Sequence, residues 1–189
     1  AFRRAEAARL SGSPARLGEA EAAYREALAL NGEHEDALWH LANVLVLEGR
    51  RREAIAVLRD HPESHPRSTR GFARLGDLMS EPSAGAFRDL KEAEEMHKES
   101  LAINREIGDK SGAAYDLYRL GEVYAARGDL RAAAARYNEA ADLQDQLGEK
   151  VNAAQTRLGL ASLSLALGKP EAAERAARDA EEILRTAGA

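Results

Sequence analysis

The sequence predicts an all-α chain of about ten antiparallel helices, and three observations carry that expectation. The first is composition: the 189 residues include 40 alanines, 22 arginines, 5 lysines and only 5 prolines. That mixture favours strong helix formers and is poor in β-branched side chains. The second is a self-similarity at 40 residues. Leu120-Gly121, Tyr124, Gly128, Ala133, Tyr137 and Ala140 recur as Leu160-Ala161, Ser164, Gly168, Ala173, Ala177 and Ala180, and Ile107-Gly108-Asp109-Lys110 recurs as Leu147-Gly148-Glu149-Lys150. The third is the same unit at 34 residues in the N-terminal half, where Ala20, Tyr24 and Ala27 correspond to Ala54, Leu58 and His61, and Leu41-Ala42 and Leu45 to Leu75-Gly76 and Met79. A fixed period of this size marks a repeat architecture, in which each unit buries its apolar face only against its neighbours.

Helices are expected at about 1–11, 16–30, 35–48, 51–60, 68–80, 86–107, 111–127, 130–147, 150–167 and 170–187. Arg4, Ala7, Ala8 and Ser11 open a degenerate first copy. In the third helix Leu38, Leu41, Ala42 and Leu45 stand at i, i+3, i+4 and i+7, one face of an α-helix. Gly49, Gly128 and Gly168 are expected to end first helices as left-handed caps, and Gly108 and Gly148 to end second helices. Arg50-Arg51-Arg52 fits a turn and a helix start with solvent-facing charges, and the prolines of His61-Pro62-Glu63-Ser64-His65-Pro66 place that stretch in a turn. Phe72, Leu75, Gly76 and Met79 open the next unit, but Arg88 stands where its second helix should carry a small residue. Ala93 serves instead, which implies about five inserted residues around 80–87, with Glu81-Pro82-Ser83-Ala84-Gly85 as the loop. Ala42, Gly76, Gly121 and Ala161 on first helices, and Ala54, Ala93, Ala133 and Ala173 on second helices, mark close approaches, where a bulky side chain would overpack at ~1–3 kcal/mol each.

The best copies are Leu38-x2-Leu41-Ala42-x2-Leu45…Ala54-x3-Leu58…Pro66 and Leu117-x2-Leu120-Gly121-x2-Tyr124…Ala133-x3-Tyr137. They resemble the tetratricopeptide repeat (TPR) pattern W-x2-L-G-x2-Y…A-x3-F…P. The resemblance covers nearly the whole chain as five units at approximately 1–34, 35–68, 69–110, 111–150 and 151–189, a single array whose later members are of a 40-residue variant. It implies a right-handed α-α superhelix, the TPR solenoid, and is similar to arrays in signalling scaffolds and large bacterial regulators.

Composition excludes several other classes. The net charge is −5, 44% of residues are apolar and 31% charged, and cysteine is absent, which removes disulfide scaffolds, thiol nucleophiles and thiolate metal sites. No basic stripe suggests nucleic-acid binding, and no long apolar stretch suggests a membrane span or signal peptide, so a cytoplasmic location is expected. No phosphate-binding glycine loop, G-x-S-x-G or H-E-x-x-H is present. His34, His61 and His65 fall in neighbouring turns and read as ordinary loop histidines, so no metal or cofactor is expected. Glu94-Glu95 and Glu181-Glu182 read as solvated helix faces, with Lys98 and Lys91 at pairing distance from Glu94 and Glu95. Catalysis is not expected.

The resemblance implies that a partner peptide or helix lies on the concave side, against first-helix residues not consumed by the buried face. Offset from the buried leucines gives Trp39, His40 and Asn43, then Arg70 and Arg74, then Tyr115, Tyr118, Arg119 and Glu122, with Gln155, Leu158 and Ser162 on the last first helix. Aromatic residues and arginines carry much of the binding energy at interfaces. Arg70 and Arg74, one turn apart, suit a partner carboxylate or phosphate, so an acidic or amphipathic partner is expected. The two-carboxylate clamp of chaperone-binding TPR domains is not matched, since Trp39, Asn43, Arg74, Tyr115 and Arg119 in one register retain only Asn43 and Arg119. The expected role is therefore a non-catalytic protein-interaction module, with a regulatory or sensor segment of a larger multidomain enzyme or signalling ATPase as the alternative. The amphipathic last helix has no solvating helix after it in this sequence, so the expectation is that either another domain follows or the end self-associates.

Overall fold

Nine α-helices and one 3-10 turn are present among the described residues of the computed structural model, which are Phe2, 14–32, 34–64 and 68–187. In chain order they are α1 (Pro14–Leu30), α2 (Glu35–Leu47), α3 (Arg51–Ser64), α4 (Thr69–Ser80), the 3-10 turn Pro82–Phe87, α5 (Leu90–Ile107), α6 (Lys110–Ala126), α7 (Leu130–Leu147), α8 (Lys150–Ala166) and α9 (Pro170–Ala187). The all-α expectation holds, with no strand among the described residues. The helix expected at 1–11 lies outside them. The chain divides into two units, 1–88 and 89–189.

One turn chemistry recurs at the helix ends. Gly49, Gly108, Gly128, Gly148 and Gly168 all adopt φ between 68 and 82°, the left-handed region that glycine tolerates best. The N–H of the residue after each glycine then closes the preceding helix, as in Asp109 to Asn104 O and Asp129 to Tyr124 O, both 2.9 Å. The same aspartates start the next helix, with Asp109 Oδ1 accepting from Gly112 N at 2.9 Å and Asp129 Oδ1 from Ala132 N at 3.0 Å. At each of these turns the glycine and the aspartate after it thus end one helix and cap the next.

Three local expectations are corrected. The helix α3 continues through Pro62 to Ser64 instead of turning at His61. Proline so near a helix C-terminus removes only one hydrogen bond of the last turn. The segment 81–85 is not an open loop, because Pro82–Phe87 winds as a 3-10 turn with Gly85 at φ 55°, and α5 begins at Leu90 rather than at 86. Asp89 fixes that start by accepting from Lys91 N and Glu92 N at 3.0 and 2.9 Å. Arg51 is not solvent-facing. Its guanidinium donates to Leu78 O at 3.1 Å and Glu81 at 3.0 Å, so it ties the start of α3 to the end of α4. Arg50 bridges Glu21 of α1, Glu48 and Glu53, each at 2.7 Å.

In the second unit the hairpins pack through small residues, as the periodicity requires. Ala93, Ala133 and Ala140 have no exposed surface, and Leu101, Leu117 and Leu120 form a core with Ala113 and Ala140. A Cβ on Gly121 of α6 would fall 2.5 Å from the Tyr137 ring of α7, and one on Gly159 of α8 would fall 3.1 Å from the same ring. Tyr137 therefore occupies space that two glycines leave on either side of it.

The core also contains a polar cluster that local periodicity does not reveal. Asp116 of α6 is fully buried and accepts from Ser100 Oγ at 2.6 Å and Asn104 Nδ2 at 2.9 Å, while His97 Nδ1 lies 3.3 Å away. Burial pushes the Asp116 carboxyl above its usual value, and the bonds from His97, Ser100 and Asn104 oppose that shift. One period later Thr156 Oγ1 donates to Gln144 Oε1 at 2.8 Å, joining α8 to α7 at the positions equivalent to Asp116 and Asn104.

Two stability effects follow. Gly121→Ala is expected to lower the unfolding free energy by about 1–2 kcal/mol, because the overpacking against Tyr137 exceeds alanine's helix-propensity gain of roughly 1 kcal/mol. Asp116→Ala should cost about 3 kcal/mol by leaving buried donors unsatisfied, whereas Asp116→Asn, which keeps an acceptor for Ser100 and Asn104, should cost clearly less. Urea titrations of the three variants beside the parent chain measure both.

Candidate functional site

Each unit presents its own first-helix surface. In the first unit α2 and α4 supply it. Arg74 of α4 places its guanidinium carbon 6.0 Å from the Trp39 ring centroid, and the same group lies 3.3 Å from Glu81 and 3.8 Å from Asp77. Its side chain is only 11% exposed, so Trp39, Arg74 and Glu81 form a fixed patch rather than a mobile cation. Burial raises the Glu81 carboxyl, but Arg51 and Arg74 together outweigh burial and hold it below its ordinary value. Arg70 pairs with Asp36 at the start of α2. The two arginines, one turn apart, are thus engaged by different carboxylates of their own unit. His40 stacks on the buried Tyr24 ring at 5.6 Å and meets Trp39 edge-on at 4.8 Å, and Asn43 is half-buried.

In the second unit α6 and α8 enclose a cleft of about 300 Å³. Tyr115, Tyr118 and Arg119 line it from α6, and Asn152, Gln155 and Thr156 from α8. Their spacing follows from the helix: residues 111, 115, 118 and 119 recur at one turn and two turns, so one face of α6 looks into the cleft. The polar groups are already ordered into two chains. Gln155 Nε2 donates to Tyr118 Oη at 3.1 Å, Tyr118 donates to Glu122 at 3.0 Å, and Arg119 pairs with Glu122 at 2.5 Å. At the other end Ser111 Oγ and Asn152 Nδ2 donate to the two oxygens of Glu149, at 2.6 and 3.0 Å. Burial pushes the Tyr118 hydroxyl above its usual value, and Glu122 adds to the effect. Tyr118 also packs on Tyr137 at 5.6 Å between centroids, which connects the cleft wall to the glycine-seated ring behind it.

The structure therefore brings Tyr115, Tyr118 and Arg119 together on one cleft, with Glu122 beside them, and places Trp39 with Arg74 on a separate patch. Ser111, Gln144, Glu149, Asn152 and Thr156 also line the cleft and do not emerge from the sequence. A usable signal exists for Thr156: it is polar on the buried face, at the position that Asp116 fills one period earlier. The arrangement offers hydroxyl, amide, guanidinium and aromatic contacts to a ligand chain. Among the described residues no group of three or more His, Asp or Glu side chains could hold a metal ion. His34 accepts from Ala37 N at 3.3 Å as the cap of α2, while the His61 side chain and His65 lie outside the described residues. No helix among them is long and apolar enough to cross a membrane.

Comparisons with known proteins agree with the repeat reading. A family profile described as tetratricopeptide repeat matches residues 15–75, and a second of the same description matches 86–146 and 117–186. The crystal structure of MamA is 17% identical, with 97% of this chain and 96% of that chain covered and a TM-score of 0.72. BtubC (BKLC) from P. vanneervenii is 20% identical, covering 98% and 89% at a TM-score of 0.76. A thermophilic TPR protein of Thermus thermophilus is 22% identical, covering 96% and 88% at 0.67. These likenesses show the fold. No curated protein matches the chain.

The Glu81 shift predicts a pH dependence for the first unit. A carboxylate held below its ordinary value contributes stability that is complete above that value, 4.5, and is lost as the pH falls through its lower value in the fold. Melting temperatures recorded from about pH 7 down to about pH 3 should therefore drop less steeply for Glu81→Gln than for the parent chain.

Proposed function

The chain belongs to the tetratricopeptide repeat family, whose members are in general protein-interaction modules, and on that premise we propose that it is a non-catalytic module that binds a partner peptide segment. The α6/α8 cleft is the proposed seat. The observation that carries this reading is that the cleft is lined from two successive first helices by side chains already held in place by one another. Pre-ordered side chains reduce the entropy lost on binding.

The lining defines the kind of segment that fits. Asn152, Gln155, Ser111 and the tyrosine hydroxyls can exchange hydrogen bonds with an extended backbone, and Tyr115, 42% exposed, offers an aromatic face. Arg119 can receive an acidic side chain in exchange for Glu122. An amphipathic segment with at least one carboxylate matches these groups, and the patch of Trp39 and Arg74 is a second, separate contact candidate in the first unit.

Peptides selected from a random displayed library against the full chain, then measured by calorimetry, test this. Tyr118→Ala and Gln155→Ala should each weaken the selected peptides, Tyr118→Ala by about tenfold or more, with helical circular dichroism unchanged. Trp39→Ala and Arg74→Glu report on the first-unit patch in the same assay. If all four variants bind like the parent chain, the first-helix surfaces are not the site.

A further inference from the structure

Two successive junctions between a second helix and the next first helix differ in how their acceptors are served. At the α7/α8 junction the chain serves them itself. Gln144 Oε1 accepts from Thr156 Oγ1 at 2.8 Å, and the two oxygens of Asp145 accept from the Arg157 guanidinium at 3.3 and 2.5 Å. Arg157 also donates to Ala153 O at 3.3 Å. One period earlier Asn104, Arg105 and Leu117 stand in place of Gln144, Asp145 and Arg157. A leucine cannot pair with an arginine, and Arg105 turns instead to Glu139 of α7 at 3.3 Å.

At this earlier junction a cavity of about 420 Å³ lies between the end of α5, the start of α6 and the end of α7. Ala113, Leu117 and Leu143 give it an apolar lining. Asn104 also lines it and is 3% exposed; its Nδ2 donates to Asp116, but its buried Oδ1 accepts no hydrogen bond. A buried acceptor without a donor is costly, so a donor brought to it is favoured. The charged lining is two cations, Arg105 and Lys110, against three carboxylates. Glu139 is shared by Arg105 and by Arg136 at 2.9 Å, and Asp109 caps α6 through Gly112 N. Asp142 is exposed and makes no ion pair among the described residues.

We propose that this cavity takes an arginine side chain from a partner protein. A guanidinium carries several N–H donors on one planar group, so it can donate to Asn104 Oδ1 and to the Asp142 carboxylate, and its aliphatic stem suits Leu117 and Leu143. The excess of carboxylates in the lining favours a cation over an anion. The chain supplies the same group at the next junction, where Arg157 is the residue that replaces Leu117. The cavity shares no lining residue with the α6/α8 cleft, so its occupancy is independent of what that cleft binds.

N-acetyl-arginine methylamide is the probe, titrated into the full chain with its leucine methyl groups labelled for NMR. The Leu117 and Leu143 methyl signals should move in a saturable way. The citrulline analogue, of the same shape without the charge, should bind at least about fivefold more weakly. Asp142→Asn should weaken the arginine compound by about fivefold as well, with helical circular dichroism unchanged. Glu182→Gln, at the position equivalent to Asp142 one period later, and Gln155→Ala in the α6/α8 cleft should leave its binding as in the parent chain. No saturable shift at Leu117 and Leu143 up to the solubility limit of the probe, equal binding of the citrulline analogue, or a loss on Glu182→Gln or Gln155→Ala as large as that on Asp142→Asn would overturn the proposal.

Discussion

The seating of one ring sets the geometry of the second unit. Tyr137 lies where a Cβ on Gly121 or Gly159 would meet it at 2.5 and 3.1 Å, so α6, α7 and α8 approach as closely as they do only because both contact points lack side chains. Close-packed interiors transmit such constraints, since no free volume remains to absorb a shift. Tyr118 rests on the same ring, and Tyr118 anchors the cleft through Glu122 and Gln155. The surface available to a partner is therefore dictated from behind. One period later Tyr137 is replaced by Ala177 and Gly121 by Ala161, a smaller residue at one position and a larger one at the other.

A second layer of specification is polar. Asn104 with Asp116, and Gln144 with Thr156, occupy equivalent positions at two successive junctions between a second helix and the following first helix. Apolar contacts tolerate sliding by a turn, because one alanine face resembles another. A buried donor and acceptor do not, because a slip leaves both unsatisfied at a cost of about 1–3 kcal/mol each. In a chain so rich in alanine, these pairs fix which turn meets which.

Periodicity makes much of this legible in the sequence. The glycine turns, the alanine contacts at 54, 93, 133 and 173 and the helix order can be read from residue spacing, because each depends on local backbone geometry or on a repeated face. The polar core cannot. Asp116 lies 16 residues from Ser100 and 19 from His97 in sequence, and a charged residue within a helix reads as solvated unless its partners are known. Arg51 escapes the sequence for the same reason, its acceptors lying 27 and 30 residues away. For the candidate site, the α6 wall of tyrosines and Arg119 follows from offset. On the α8 side Gln155 follows from the same offset, whereas Asn152 and Glu149 depend on how two helices meet, which no single helix pattern encodes.

The glycine turns have a consequence for how such a chain can grow. The α2/α3 hairpin has helices of 13 and 14 residues, and the α6/α7 hairpin has 17 and 18, so each gains four residues, close to one turn of ~3.6. Lengthening both arms by the same turn keeps their buried faces opposed and their ends level. A single inserted residue would rotate everything beyond it by roughly 100° and turn the alanine face away from its partner. Because one glycine and its successor both close a helix and open the next, a gene segment cut at these turns carries its own start and stop. Duplication of whole hairpins, and of whole turns within them, is then structurally silent, whereas drift by one or two residues is not.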